Sequence, residues 1–273
     1  MTSPVAEIAV IGGSGFYAFL DDTRQLPVHT PYGPPSAPVT IATVGDRSVA
    51  FLPRHGLAHE YPPHRVNYRA NLWALHSLGV KRVIAPCAVG SLQPGIAPGQ
   101  FVILDQLVDR TWGRPDTYFD GPVVGHVSFA DPYCPELARV MAAAQLAVPG
   151  LADLTMHQGG TVVVIQGPRF STRAESNWYR SAGWEVINMT QYPEAFLARE
   201  LGMCYCGLAL VTDYDTGLEG VAGIAPVTME QVFAIMAANV ARTRELLLAA
   251  IPTVSADPGC TCRAALESGP LGK

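Results

Sequence analysis

Lysine is nearly missing. Of the 18 lysines and arginines only Lys81 and Lys273 are lysine, which leaves sixteen arginines to carry the positive charge. A pyridoxal enzyme needs a lysine for its internal Schiff base and a P-loop enzyme needs one in its glycine loop; neither lysine here stands in such a context. Charge of either sign is sparse, at 15% of residues, and the net charge of −5 offers no basic stripe to a nucleic acid or an anionic membrane. No apolar run reaches the ~20 residues of a membrane span, and the N-terminus lacks the basic-then-apolar layout of a secretory leader, so a cytoplasmic location is expected. The six cysteines include no CxxC pair, so no metal is expected. Cys204 and Cys206, two apart in CYCGLALV, read as small hydrophobes on one strand face. Cys260 and Cys262 read as an adventitious or redox-sensitive pair in a polar tail.

What is there describes an enzyme-sized α/β domain. The chain has 273 residues, 49% of them hydrophobic, with 26 Gly and 23 Pro. One domain is expected over 1–252, with a flexible tail over 253–273. Short β-rich runs at 8–13, 39–44, 48–53, 82–91, 100–108, 160–167, 185–189 and 204–212 alternate with helical patterns at 67–79, 134–147, 173–183, 193–202 and 228–251. Several of these runs are continuously apolar, as strands covered on both faces must be. The segments 21–37 and 110–132 read as ordered loops.

Five stretches carry candidate chemistry. IGGSGFYA (11–18) has a G-x-G-x-x-A pattern, but no Asp or Glu lies between Asp22 and Asp46 to hold a ribose, which argues against a dinucleotide. A phosphate cradle around Ser14 and a plain tight turn both remain open. Ser14 is not a nucleophile elbow, because Phe16 stands where the second glycine is needed. PRHGLAHEYPPHRVNY (53–68) gathers Arg54, His55, His59, His64 and Arg65 after a strand, suiting an oxyanion through a guanidinium fork and an imidazole donor, or forming a solvated basic loop. In GPRFSTRAES (167–176), Phe170 offers a stacking face beside Ser171 and Arg173, or a core aromatic. INMT (187–190) ends a strand with an amide and a hydroxyl. VTDYD (211–215) ends a buried strand with two carboxylates, Asp213 and Asp215, a costly placement unless they bind something.

These blocks, together with VNY-ANLWAL, CAVGSL, PGQFVILDQLVDRT, DPYCP and INMT-YPEA-LARELG, resemble the trimeric nucleoside phosphorylases, and most closely the 5′-methylthioadenosine phosphorylases, collinearly from Ile8 to Pro252. The resemblance implies a single α/β domain with a central mixed sheet flanked by helices, a homotrimer with shared active sites, and no cofactor, inorganic phosphate being a co-substrate. It implies phosphate held by Ser14, Arg54, His55, the backbone at Cys87 and Ala88, and Thr190. The base would lie by Phe170 with Asp213 and Asp215 addressing it, and Met189 would pack under the ribose with Asn188 at the inner wall. Gly90, Ser171, Ile187 and Thr212 complete the substrate contacts. The 5′-substituent would meet Met229, Val232 and Phe233, with His126 arriving from a neighbouring subunit. Asp213, Asp215 and His55 carry the implied catalysis. Cys87 replaces a threonine usual in eukaryotic relatives, and Gln191 and Gly207 are further variations. The competing readings are a phosphorylase of 6-oxopurine nucleosides or of other 5′-deoxy or 5′-halo adenosines, and a noncatalytic nucleotide-binding or redox-regulated protein.

Overall fold

The computed structural model describes residues 4–12, 23–122, 124–222, 224, 228–255 and 257–264. Its elements are β1 (Ile8–Gly12), β2 (Arg24–Leu26), β3 (Val39–Val44), β4 (Arg47–Pro53), α1 (Tyr68–Ser77), β5 (Arg82–Ser91), β6 (Phe101–Ile103), β7 (Gln106–Arg110), α2 (Pro135–Ala147), β8 (Met156–Gln158), β9 (Thr161–Ile165), α3 (Arg173–Ser181), β10 (Val186–Asn188), α4 (Gln191–Glu200), β11 (Cys204–Tyr214) and α5 (Met229–Ala250). The apolar runs at 8–12, 82–91 and 204–214 become β1, β5 and β11, the middle of a mixed sheet, where both faces need apolar side chains.

Alternate residues of these strands feed two cores. Val83, Ala85, Tyr205 and Ala209 pack with Leu72 and Leu75 of α1 and Leu197 of α4. Ile8, Val10, Ile84 and Leu208 pack with Leu137 and Met141 of α2 and Leu246 of α5. Period-two alternation thus puts a helical layer on each face. Cys204 and Cys206 do share a face, within the second core.

The sheet branches at β5, and this branch positions the site. Along one edge β5 pairs in parallel with β11 from Arg82 to Ser91. Along the other it pairs with β1 only through Ile84, and with the antiparallel β10 only from Gly90. Among the described residues the edge at 85–89 therefore has no strand beside it, and a crevice opens there. On β11 the register slips between Val211 and Asp213, so that Thr212 is the extra residue of a bulge. A bulge turns the strand locally and re-aims the side chains beyond it, here the two aspartates.

Three expectations change. The run 100–108 is two strands, because the chain switches partners at Leu104 and Asp105: β6 lies against β11 and β8, and β7 against β9. The loop 21–37 contains the short strand β2, paired antiparallel with β3. The expected tail is packed at its described start. Val254, 1% exposed, receives Arg47 Nη1 on its carbonyl at 2.7 Å, and Cys262 is 2% exposed.

Candidate active site

The crevice is a cavity of about 470 Å³ lined by the ends of β4, β5, β9, β10 and β11, by the start of α4 and by one face of α5. Of the expected residues, Arg54, His55, Cys87, Ala88, Gly90, Phe170, Ser171, Ile187, Asn188, Met189, Thr190, Thr212, Asp213, Asp215 and Val232 all line it. Ser14 and its glycine turn lie outside the described residues, as does the side chain of Met229. Phe233 is 63% exposed and His126 is exposed; neither lines the cavity of a single chain.

At one end, polar groups satisfy one another. Arg54, 2% exposed, gives Nε and Nη2 to the two carboxylate oxygens of Glu194, each at 2.7 Å. It also gives Nη2 to Ile11 O at 3.1 Å and Nη1 to Pro86 O at 3.2 Å. The expected bidentate fork for an anion is thus occupied, and of five guanidinium donors a single Nη1 N–H is left without a partner among the described residues. Burial opposes the Arg54 charge, but the facing Glu194 carboxylate outweighs it and holds the guanidinium protonated. His55 also differs from expectation. Its Nδ1 stands 2.8 Å from Tyr61 O, and because a carbonyl only accepts, Nδ1 carries the hydrogen and Nε2 presents a lone pair. Burial, then the neighbouring Arg54, lowers its pKa to about 4, so the ring is neutral at pH 7 and its second nitrogen is an acceptor rather than a donor.

The variations Cys87, Gln191 and Gly207 form one packed unit. Gln191 Nε2 donates to Cys87 Sγ at 3.4 Å, and its Oε1 accepts from Tyr133 Oη at 3.0 Å. A Cβ at Gly207 would sit 2.5 Å from that same Oε1. Glycine on β11 therefore makes room for glutamine on α4, which in turn anchors the cysteine on β5. Burial raises the Cys87 thiol to about 11, so the neutral side chain does not repel an anion at this wall. Next to it, Asn188 Oδ1 accepts from the backbone N–H groups of Thr190 at 3.3 Å and Gln191 at 3.4 Å, fixing the start of α4.

The other end is left open. Asp213 and Asp215 approach Gly90, where a Cβ would meet Asp215 Cβ at 3.6 Å and Asp213 Oδ2 at 3.7 Å, as well as Ile187 Cγ2 at 3.2 Å; glycine keeps the space between the two acids clear. The Thr212 hydroxyl donates to Asp213 Oδ1 at 2.5 Å. Burial raises the pKa of both carboxyls; the Thr212 hydrogen bond opposes this at Asp213, and the Ser176 hydroxyl and Thr216 N–H oppose it at Asp215. Asp215 Oδ2, Ser171 Oγ and Asn239 Oδ1 are buried in the cavity wall without hydrogen-bond partners among the described residues. Buried polar atoms are seldom left unpaired, and three in the wall of one cavity describe a place for a polar ligand. The α3 cap supports this end: Thr172 and Glu175 form a capping box that sets the turn carrying Phe170 and Ser171, worth about 1 kcal/mol.

Sequence reasoning missed Met236, Asn239 and Val240, which with Val232 lie at i, i+4, i+7 and i+8 of α5. The helical period carries that signal once Val232 is its origin; Phe233, one position on, is rotated out of the stripe. His59, in the basic cluster but given no role, also lines the cavity, with its ring stacked on His55 at 4.5 Å between centroids.

A mixed α/β sheet flanked by helices on both faces is the architecture of the solved phosphorylases that this chain resembles. The chain belongs to the Phosphorylase superfamily, whose family model matches residues 7–252. It is 58% identical over 255 residues to an S-methyl-5′-thioadenosine phosphorylase of Mycolicibacterium smegmatis, covering 93% of each chain. It is also 54% identical over 272 residues to a purine nucleoside phosphorylase of Streptomyces coelicolor, covering 96% of this chain and 94% of that one. Among solved structures it resembles methylthioadenosine phosphorylase from an antarctic soil metagenomic library, with a TM-score of 0.89 and 39% identity over 96% of this chain and 91% of the other.

Proposed function

We propose that this chain cleaves the N-glycosidic bond of 5′-methylthioadenosine with inorganic phosphate, giving adenine and 5-methylthioribose 1-phosphate. The observation that carries the reading is the open acid end of the cavity: two carboxyls with raised pKa across Gly90, one with a buried oxygen lacking a partner. The names of the relatives support it. So does the Schistosoma mansoni adenosine/methylthioadenosine phosphorylase variant in complex with methylthioadenosine, at a TM-score of 0.84 and 35% identity over 96% of this chain and 98% of that one.

In this reading phosphate lies against the edge of β5 at Cys87 and Ala88, with the residual Arg54 Nη1 N–H, the Thr190 hydroxyl and Ser14 as donors. The neutral His55 accepts a hydrogen bond at Nε2 from the hydroxyl of HPO₄²⁻, orienting the anion while its proton stays on phosphate until the sugar phosphate forms and releases it to solvent. A phosphate oxygen attacks C1′ while the C1′–N9 pair withdraws into the purine, and protonated Asp213 delivers its proton to N7, leaving a neutral base and an ionised Asp213. The sugar passes through an oxocarbenium-like state, so the anion beneath it supplies charge stabilisation as well as the nucleophile. Asp215 Oδ2 accepts from the 6-amino group, and Val232 and Met236 offer a methylthio group soft apolar contact. The exposed Trp112, Val124, Phe170 and Phe233 support a homotrimer in which neighbours, through His126, close each site. A cytoplasmic location completes the proposal.

A second reading, cleavage of 6-oxopurine nucleosides, is favoured by the Streptomyces relative's name and by the raised pKa of Asp215, which when protonated donates to a 6-oxo group. A substrate panel with and without phosphate, following free base by chromatography, decides between them. The expected result is phosphate-dependent release of adenine from methylthioadenosine about ten- to a hundredfold faster in kcat/KM than hypoxanthine from methylthioinosine, the cost of one mismatched buried acceptor. Equal rates support the second reading, and no phosphate-dependent release refutes both.

A further inference from the structure

Away from the cleft, the first residue of β11 meets the N-terminus of α2 and the segment after α5. Four cysteines converge there: Cys134, the N-cap of α2; Cys204, opening β11; and Cys260 and Cys262. Their sulfur atoms all lie within 4.8 Å of one another, with Cys204 to Cys260 at 3.2 Å and Cys134 to Cys260 at 3.6 Å. All four are free thiols, three of them buried. They are not arranged as two pairs: Cys260 is near both Cys134 and Cys204, and Cys262 lies within the same 4.8 Å group. A tetrahedral centre with metal–sulfur bonds of ~2.3 Å sets its sulfurs roughly 3.8 Å apart, and the separations here bracket that spacing.

The surroundings hold the four sulfurs in register. Glu136, in the first turn of α2, pairs through Oε1 with the buried Arg82 at 2.9 Å and accepts the Gly259 N–H on Oε2 at 2.8 Å, which fixes the approach to Cys260. Arg199, 6% exposed, donates to the carbonyls of Cys262, at 3.4 Å, and Asp131. No carboxylate pairs with Arg199 among the described residues, so its charge is free to offset an anionic centre. The N-terminus of α2 at Cys134 likewise favours negative charge on sulfur. A cavity of about 660 Å³ lined by Cys134, Cys262 and Arg199 gives an ion a way in.

We propose that Cys134, Cys204, Cys260 and Cys262 form a tetrathiolate site for a divalent cation of the zinc class, fastening the segment after α5 to α2 and β11. On binding, four thiols release four protons and the dication gains four Cys–S⁻ ligands, a centre of charge −2 that faces Arg199. The bonds close long chain loops between three distant segments, where a cross-link restricts the unfolded chain most.

The test is elemental analysis of the full chain purified under reducing conditions. About one zinc per chain should co-elute with the protein and be released as the thiols are titrated with a mercurial. Cys260→Ser and Cys262→Ser should each lose the metal and lower Tm by several degrees, while kcat/KM well below Tm stays that of the parent. Zinc ion alone should restore Tm to chelator-stripped parent protein, a measurement that stands even if the serine variants do not fold. A metal-free chain lighter by two hydrogens for each S–S bond would overturn the proposal in favour of disulfides. A metal-free chain with all four thiols titratable, full zinc retention in both variants, or a Tm indifferent to stripping would overturn it as well.

Discussion

The two ends of the cleft are built on opposite rules. Around Arg54 nearly every polar group already has a protein partner: Arg54 with Glu194, Glu194 with Tyr205 Oη at 2.7 Å, Gln191 with Cys87 and Tyr133. Elsewhere in the wall, buried oxygens of Asp215, Ser171 and Asn239 have none among the described residues. The first end is paid for in folding and holds its shape before any ligand arrives; the second keeps its hydrogen-bonding capacity in reserve for the ligand. Substitutions should therefore separate the two: stability is lost at the paired end, and rate at the open end.

The largest effect is expected from Arg54→Ala, which strands the fully buried Glu194 carboxylate. Breaking a buried pair on one side costs about 3–5 kcal/mol, roughly a 10 °C fall in Tm for a domain of this size. Thermal unfolding checks it, and Arg54→Ala/Glu194→Ala should recover part of the loss. An unchanged Tm with only the phosphate KM raised would erase the distinction between the ends. Next comes Asp213→Asn, which removes the proposed proton donor and should lower kcat and kcat/KM together by roughly 10²–10³. Its Tm should hold or rise, because the fold disfavours a charged carboxyl there. A matching loss of stability would mean that Asp213 belongs to the framework instead.

Much of this was legible along the chain, and what was missed shares a cause. The apolar runs located β1, β5 and β11, and the costly VTDYD ending pointed to the acid pair, because burial and alternation are local signals. Partner choice is not local. Arg54 read as an anion fork because nothing in its neighbourhood announces Glu194, 140 residues on. Gln191, Gly207 and Cys87 read as separate variations because they meet only across three elements. The cysteine cluster was hidden for the same reason: spacing rules search within a segment, and these four come from three. On α5 the period was visible, yet the phase, Met236 and Asn239 rather than Phe233, is set by how the helix seats on the sheet.

The smallest effect concerns His55, and it tests whether the paired end is held neutral as well as rigid. In the folded protein burial and Arg54 lower the imidazole to about 4, whereas the unfolded chain protonates it near the ordinary value of 6.5. Above that ordinary value both states carry neutral rings and His55 makes no pH-dependent contribution. Between 6.5 and about 4 the unfolded state binds a proton that the native state refuses, so stability must fall as pH falls through this window. The slope from one proton is at most about 1.4 kcal/mol per pH unit, and less here because the ring is only half-buried and solvent screens its charge. Denaturant unfolding across this window should show the decline, and His55→Gln, which cannot titrate, should flatten it. An unaltered slope in that variant would mean that His55 has the same pKa in both states, so that burial and Arg54 do not hold the ring neutral at this end.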